Sequence, residues 1–310
     1  MRNPRDVTIT IGIPTLNGPD RLDRCLTSIA RATAWNRFGD VKVIAHDDAS
    51  STESLTLNKD VIQRHEFLRD RAGLEMIMSE TRGGISHGWN LLTRHRESEI
   101  VVLFNDDIEV ERDYLDVLVW NLLHNPHAGM VGLSAYTGLT RRQVEDLRLG
   151  HLYNVGVFDP ETAVAVADRI RASYDHVAFP RNDYRESRLL DGGGALLASC
   201  GYAFAFRRED FDAVDGFDEQ FFVYYEEVDF GVSMRKKLNR THYMVDYPTI
   251  WHMGGATMSA EGMNASERLV ESRVKFEAKW GKTMNELHEE LAHESPPVRN
   301  WNSHYANWVK

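Results

Sequence analysis

The fold is decided by residues 100–107, which read IVVLFNDD. The first five residues of this stretch are all apolar, which is typical of a short strand covered on both faces of a sheet. The strand then stops at Asn105, and two aspartates follow directly. Because ligands of open α/β sheets bind at the carboxyl ends of the strands, Asp106 and Asp107 are placed where a substrate would lie.

The segments around this strand alternate between strand and helix patterns. Residues 7–13 alternate apolar and polar side chains, and residues 41–45 form a second strand pattern. An apolar stripe with helical spacing runs from Leu22 to Ile29 between them. Later in the chain, residues 115–123 return to helical spacing and residues 130–134 to a strand pattern. This alternation predicts an α/β fold with a mostly parallel central sheet flanked by helices.

The second half of the chain has weaker patterns. We expect a strand over 195–206, helices over 208–214 and 228–238, a strand over 242–247 that Pro248 ends, and a last helix with Leu269, Phe276 and Trp280 on one side. The segment 136–191 carries mixed charges with several arginines. It is either an element that recognises the acceptor or a solvated surface insertion.

Paired carboxylates stand at a second strand end as well, because Asp47 and Asp48 follow the strand at 41–45. Adjacent carboxylates repel each other, and a divalent cation with oxygen ligands relieves that repulsion. An acidic turn that caps the next helix would also explain both pairs. From the residues alone, both explanations stay open.

A further acidic cluster lies in residues 221–230, which read FFVYYEEVDF. Glu226, Glu227 and Asp229 stand beside aromatic side chains, where burial would raise a carboxyl pKa toward the range useful for a general base. The same carboxylates also suit the first turn of a helix, whose dipole favours acidic residues. Downstream, His252 together with carboxylates would suit Mn²⁺, although a lone histidine is more often structural.

Composition and charge restrict the class of protein. The 310 residues carry 36 Lys and Arg against 47 Asp and Glu, a formal net charge of −11, which weighs against non-specific nucleic-acid binding without excluding a local basic groove. The longest apolar runs are far shorter than the ~20 residues of a membrane-spanning helix, and the first residues lack an apolar leader. We therefore expect a cytoplasmic protein with two reduced cysteines, Cys25 and Cys200, and no integral membrane contact; peripheral attachment to a membrane stays open.

Six signatures occur in an order that resembles one known family. They are IPTLN at 13–17, DDAS at 47–50, RGG at 82–84 with Asn90, FNDD at 104–107, GFDE at 216–219 after Gly201, and the acidic stretch at 221–229 with the downstream His252. In this order and spacing they resemble the family 2 glycosyltransferases with the GT-A fold, over about residues 7–281. Each signature is common by itself, whereas all six in sequence are not.

The resemblance implies a role for each matching residue. The resemblance implies that the donor nucleotide is bound by Pro14, Thr15, Asp48, Arg82, Gly84 and Asp106. Of these, Asp48 matches the carboxylate that binds the nucleotide base. Metal binding falls to Asp107, as the direct ligand, and to His252. The role of general base falls to Glu227, and the acceptor side to Glu226, Asp229 and Trp251.

Position 227 departs from the family pattern, which has aspartate there. Glutamate has the same chemistry and one more methylene group. Either the acceptor pocket differs, or Glu226 or Asp229 shares the role of base.

The resemblance therefore implies a glycosyltransferase that moves a sugar from a nucleotide diphosphate sugar, expected to be a UDP-sugar, to an acceptor hydroxyl with inversion. The expected cofactor is Mn²⁺ or Mg²⁺, and the expected acceptor is a glycan or glycoconjugate. One GT-A domain is expected over 1–285, with a nucleotide-sugar-binding half at 1–135, an acceptor-binding half at 136–285, and a tail at 286–310.

The sequence leaves other functions open. They are a retaining transferase, a glycosyltransferase that acts on a modified nucleic-acid base, a nucleotidyltransferase of related fold, and a catalytically lapsed carbohydrate-binding relative. Product stereochemistry would identify the first of these, and pyrophosphate release would identify the nucleotidyltransferase.

Overall fold

Eight strands form one mixed sheet in the computed structural model of the protein, which describes residues 3–137, 197–255, 257–258 and 261–292. The strands are β1 (Thr8–Thr15), β2 (Asp40–Asp47), β3 (Glu75–Met78), β4 (Ile100–Phe104), β5 (Ile108–Glu109), β6 (Ala128–Thr137), β7 (Ala203–Arg207) and β8 (Thr241–His252). Their order across the sheet is β3-β2-β1-β4-β7-β6-β8-β5.

Helices accompany the strands on both faces. They are α1 (Pro19–Ala32), α2 (Thr52–Arg64), α3 (Glu66–Ala72), α4 (Gly84–Arg94), α5 (Tyr114–His124), α6 (Arg208–Val214), α7 (Glu226–Leu238), α8 (Ala265–Trp280) and α9 (Met284–Ala292). Helix α1 starts directly after Gly18 because Pro19 fits the first helical position, where no N–H is needed.

The pairing of the strands confirms the α/β fold. Strands β3, β2, β1 and β4 are all parallel, and β6 is parallel to β8. Strand β7 is antiparallel to both β4 and β6, and β5 is antiparallel to β8. The carboxyl ends of β1, β2 and β4 therefore meet at one edge of the sheet.

Strand β4 is buried along its whole length and contributes side chains to two separate hydrophobic cores. Val102 and Phe104 pack on one face with residues of α1 and α5. Val101 and Leu103 pack on the other face with Trp89 and a cluster of phenylalanines from β7, α6 and α7. Burying side chains of this size stabilises the fold by roughly 1.5–3 kcal/mol each, so the acidic turn after β4 stands on a rigid base.

Strand β8 differs from the strand expected over 242–247. It continues through Pro248 to His252, because its pairing with β6 shifts between Leu133, opposite Val245, and Ala135, opposite Ile250. A proline is tolerated at such an irregularity, where no ladder N–H is required. The extension brings His252 to the edge of the sheet that holds the acidic turn.

Two further expectations are corrected. The strand expected over 195–206 starts only at Ala203 within the described residues. On α8, Phe276 is buried as expected, but Leu269 is 46% exposed.

The start of the C-terminal tail expected at residue 286 stays a prediction. Residue 286 lies inside α9, whose Leu287 and Leu291 are buried. The division into a donor half and an acceptor half stays a prediction.

Most of the segment 136–191, from residue 138 onward, lies outside the described residues. Across the described ranges, no helix has the length and apolar character needed to span a bilayer.

Candidate active site

A cavity of about 310 Å³ opens at the carboxyl ends of β1, β2 and β4. Nine of the twelve residues predicted for the site lie on its wall: Pro14, Thr15, Asp48, Gly84, Asp106, Asp107, Glu226, Glu227 and His252. Tyr202, Phe222, Tyr224, Met258 and Met263 add apolar surface to the same wall. The cavity thus joins residues from both halves of the chain.

The two aspartates after β2 have different partners. Asp47 accepts hydrogen bonds from the Ser50 N–H (2.8 Å) and from the side-chain amide of Asn58 (2.7 Å), so it holds the turn into α2. Asp48 accepts hydrogen bonds from the N–H groups of Gly83 (2.8 Å) and Gly84 (3.0 Å). Its carboxylate therefore caps the N-terminus of α4, where unpaired N–H groups favour negative charge.

The N-terminus of α4 also contacts the second half of the chain. The Ile85 N–H donates to the Phe222 carbonyl (2.8 Å), and the Ser86 hydroxyl donates to the Phe221 carbonyl (2.7 Å). Gly84 has φ +80°, and a Cβ there would lie 2.4 Å from the Phe222 oxygen. Only glycine fits this junction between the two halves of the cavity.

Asp106, the first aspartate after β4, is engaged by protein groups. It accepts hydrogen bonds from the Thr15 hydroxyl (2.6 Å) and from Nε of Arg21 (3.1 Å). Burial raises the pKa of Asp106 to about 6, against the opposing effects of Arg21 and Thr15. Although it lines the cavity, its side chain is tied to β1 and α1.

Asp107, the second aspartate, points at His252. Its Oδ1 lies 3.4 Å from Nε2 of His252, which is long for a hydrogen bond. Burial by itself raises the pKa of the Asp107 carboxyl, but the closeness and charge of His252 and the charge of Arg21 outweigh burial and leave this pKa below its usual value. Backbone contacts fix the pair, because Ile108 pairs with His252 and the Met253 N–H donates to the Asp107 carbonyl (3.0 Å).

Asp107 and His252 fit a divalent cation. Asp107 Oδ1 and His252 Nδ1 are buried without a hydrogen-bond partner in the described part of the chain. A carboxylate oxygen and an imidazole nitrogen are suitable donors for Mn²⁺. No cluster of three metal-binding side chains exists among the described residues, so phosphate oxygens and water would complete the coordination shell.

Glu226 and Glu227 enter the cavity from the first turn of α7. Tyr224 and Tyr225, just before them, have φ values of +66° and +69°, an uncommon conformation for bulky residues. The Tyr225 ring packs against Phe276 (ring centroids 5.1 Å apart), which holds this turn in place. The strain is located where the chain turns the two carboxyl groups toward the cavity.

Both glutamates resist ionisation. Burial and the adjacent charge of Glu227 raise the pKa of Glu226 well above its usual value. Burial also raises the pKa of Glu227. Glu226 is only 7% exposed, and its Oε2 has no hydrogen-bond partner among the described residues. The two groups titrate as a pair, in which one proton is retained more strongly than the other.

Three residues predicted for the site lie outside the cavity wall. Asp229 accepts hydrogen bonds from Lys279 (2.8 Å) and from the Trp280 indole (2.9 Å), so it joins α7 to α8. Trp251 points away because neighbouring residues of a strand face opposite sides, and it lies behind the acidic turn. Arg82 donates a hydrogen bond to Glu261. The acceptor-side role of Asp229 and Trp251 stays a prediction, and in the structure neither residue lines the cavity.

Four residues after β8 line the cavity and were not predicted from the sequence: Gly255, Thr257, Met258 and Met263. Glu261 accepts hydrogen bonds from the Asn17 side chain (2.6 Å) and from Arg82, and the Thr257 hydroxyl accepts one from Arg21 (3.1 Å). No regular pattern in the sequence signals these contacts, because they join residues far apart in the chain. Gly201 is part of the family-like sequence pattern, but that pattern does not predict its closeness to the Glu227 carboxyl group.

Comparison with known proteins gives a family and a fold. The family model described as "Glycosyl transferase family 2" matches residues 10–214. A mannosyltransferase, PcManGT from Pyrobaculum calidifontis, solved in complex with GDP-Man and Mn²⁺, is 19% identical with a TM-score of 0.58, over 95% of this chain and 69% of its own. GalNAc-T7, solved with UDP, GalNAc and Mn²⁺, is 13% identical with a TM-score of 0.54, over 79% of this chain and 44% of its own. A comparison with curated proteins gives no significant match.

Proposed function

The chain belongs to glycosyl transferase family 2, and from this premise we propose that it transfers a sugar from a nucleoside diphosphate sugar to an acceptor hydroxyl with inversion of configuration. The observation that carries this proposal is the meeting of Asp107, His252 and Glu227 on the wall of one cavity. The first two suit a cation beside a diphosphate, and the third suits a base beside an acceptor.

The donor nucleotide is assigned to the part of the cavity formed by Pro14, Thr15 and Asp48. Each Asp48 oxygen already accepts one N–H bond from the start of α4 and keeps a lone pair for a further donor. The ring N–H of uracil is such a donor, and so is that of guanine. We propose a UDP-sugar as donor. Of the two similar structures, one contains UDP and the other GDP-Man.

The cation site is assigned to Asp107 Oδ1 and His252 Nε2, with Mn²⁺ or Mg²⁺ as the ion. When bound, the ion would offset the charge of the diphosphate and so favour its departure. Arg21 and Thr15 keep Asp106 turned toward β1 and α1, which leaves Asp107 as the carboxylate of the pair that faces His252.

Glu227 is assigned as the general base. In the transfer step, the acceptor oxygen forms a bond to the anomeric carbon while the bond from that carbon to the diphosphate oxygen breaks on the opposite face. The acceptor proton moves to the Glu227 carboxylate, and the nucleoside diphosphate leaves with the bonding electron pair. A raised pKa makes Glu227 a stronger proton acceptor than an ordinary glutamate.

Glu226 is assigned to binding on the acceptor side. Burial and the charge of Glu227 raise the pKa of Glu226 and favour its protonated form, which can donate a hydrogen bond to a sugar hydroxyl, and its Oε2 lacks a partner in the described structure. Phe222 and Tyr224 provide aromatic faces next to it, which suit the apolar face of a sugar ring. We therefore propose a glycan or glycoconjugate as acceptor.

We also propose a cytoplasmic setting, which agrees with the free thiols of Cys25 and Cys200.

The test is a panel of UDP- and GDP-sugars incubated with the protein and Mn²⁺, followed by thermal unfolding and by chromatography of the released nucleotide. One donor should raise the melting temperature and be slowly hydrolysed to nucleoside diphosphate only when the metal is present. Release of pyrophosphate from a nucleoside triphosphate would instead identify a nucleotidyltransferase. Sugar binding without hydrolysis or transfer would indicate a lapsed relative, and product anomer by NMR separates inversion from retention.

A further inference from the structure

His252 lacks the contact that usually orients a metal-binding histidine. Such a histidine normally donates its second ring N–H to a carboxylate or carbonyl, which fixes both tautomer and ring orientation. Here Nδ1 of His252 is buried and has no hydrogen-bond partner within the described residues. Another contact must therefore keep Nε2 directed at Asp107.

Tyr202 provides such a contact. Its ring stacks on the imidazole of His252, with ring centroids 4.5 Å apart and an angle of 28° between the planes. Stacking in this geometry restrains rotation of the imidazole about its side-chain bonds, because a rotated ring would collide with the tyrosine face.

Tyr202 is itself held at both ends. Its carbonyl accepts a hydrogen bond from the Asn105 N–H (2.9 Å), which joins it to the acidic turn that carries Asp107. Its hydroxyl interacts with the Cys200 thiol and with the backbone of Ala135 on β6. The ring is thus a rigid wall between strands β6, β7 and β8 rather than a free surface side chain.

We propose that Tyr202 is a positioning residue for the cation site, and that its ring takes over the orienting role that a hydrogen bond to Nδ1 performs elsewhere. This inference rests on the proposed cation site at Asp107 and His252. Tyr202 need not touch the ion. It sets the direction of Nε2, so its loss lowers affinity for the ion without removing a ligand.

The experiment measures binding of Mn²⁺ to the full chain in the presence of UDP or GDP, whichever the protein binds, by electron paramagnetic resonance of the free ion. Tyr202→Phe keeps the ring and should bind Mn²⁺ within about 2-fold of the wild type. Tyr202→Leu removes the ring and should bind roughly 10-fold more weakly, the lower end of the effect of losing an orienting contact. Nitrogen hyperfine coupling from the histidine should persist in the Phe variant and become weak or heterogeneous in the Leu variant.

Two reference variants separate the inference from the proposal beneath it. Asp107→Asn and His252→Ala should each weaken Mn²⁺ binding strongly. If they do and Tyr202→Leu does not, Tyr202 has no positioning role. If neither does, the cation site itself is wrong. Should the Leu variant fail to fold, Tyr202→Met, which fills similar volume without a ring, takes its place and must show the same weakened binding and hyperfine coupling.

Discussion

Gly201 packs directly against the carboxyl group of Glu227: a Cβ at position 201 would lie 3.0 Å from Cδ and 3.2 Å from Oε1 of that side chain. The glutamate at this position is one methylene longer than the aspartate of the family pattern. The missing side chain at Gly201 makes the room that the longer residue needs. The two positions therefore form a complementary pair on the cavity wall.

Gly201→Ala is expected to displace the Glu227 carboxyl by a few tenths of an ångström and to lower the transfer rate roughly 10-fold, since catalysis is sensitive to small misplacements. Donor binding should stay unchanged because Asp48 and Asp107 are not touched. The measurement is kcat for transfer beside the dissociation constant of the donor. The double variant Gly201→Ala, Glu227→Asp restores the space, so it should lose less than the two single losses combined. Additive losses would contradict the pairing.

Glu227→Gln is expected to keep donor binding and to lose transfer by roughly 10²- to 10⁴-fold, because the amide cannot accept the acceptor proton. Glu226→Gln is the matched control, since it replaces the neighbouring carboxyl whose pKa is raised well above its usual value and which is not assigned as the base. It should keep most of the transfer rate and change mainly the KM for the acceptor. If the Glu226 variant were the inactive one, the two roles would have to be exchanged.

The pH dependence of transfer follows from the raised pKa of Glu227. A general base works only when deprotonated, so kcat/KM for the acceptor should rise with pH and be lost as pH falls through that raised pKa. The acidic limb should therefore lie above pH 4.5, the ordinary value for glutamate. A profile that stays flat down to pH 4.5 would contradict the assignment of Glu227 as the base.

Much of the fold follows from local patterns. Strand β4 and helix α6 have the expected bounds, because an apolar run and a short amphipathic stretch are visible without knowledge of their partners. The end of β8 could not be predicted in this way. Its course past Pro248 depends on an irregular pairing with β6, which only tertiary contacts create.

The candidate site, like the fold, was predicted only in part from the sequence. Residue types at strand ends and the resemblance brought Asp107, His252 and Glu227 together from distant parts of the chain. The sequence did not predict in which direction each side chain points. Asp229, for example, lies two residues after Glu227 but accepts hydrogen bonds from Lys279 and Trp280 on α8. Side-chain direction depends on packing partners that the sequence does not name.

Substitution of the two aspartates after β4 should have different effects on stability and on activity. Asp106→Asn removes the charge that binds Arg21 and should lower the free energy of unfolding by roughly 1–3 kcal/mol. Asp107→Asn should cost less stability than Asp106→Asn, because it loses the long 3.4 Å contact with His252 and no short side-chain hydrogen bond, and it should abolish metal-stimulated donor hydrolysis. Urea unfolding and hydrolysis with Mn²⁺ or EDTA measure the two effects. Full hydrolysis by the Asp107 variant would refute its role.

His242 should make the fold sensitive to acid. It is fully buried between β6 and α7, where Nδ1 accepts from the Met130 N–H and Nε2 donates to the Gly231 carbonyl, both at 2.9 Å. Burial lowers the pKa of His242 from 6.5 to about 3, so the unfolded chain binds a proton that the folded chain refuses. This stabilising contribution is complete above about pH 6.5 and is lost as pH falls toward 3. Between pH 7.5 and 5 the loss is about 2 kcal/mol, because each pH unit below 6.5 costs about 1.4 kcal/mol.

His242→Gln tests this linkage by urea unfolding at pH 7.5 and pH 5. The variant should be less stable than the wild type at pH 7.5, since glutamine cannot satisfy both backbone groups in the same geometry. The difference between them should shrink by about 2 kcal/mol at pH 5, because the variant has no imidazole to protonate on unfolding. The exposed His288 is the matched control, and His288→Gln should keep the wild-type pH dependence. An equal difference at both pH values would mean that His242 does not carry the acid sensitivity of the fold.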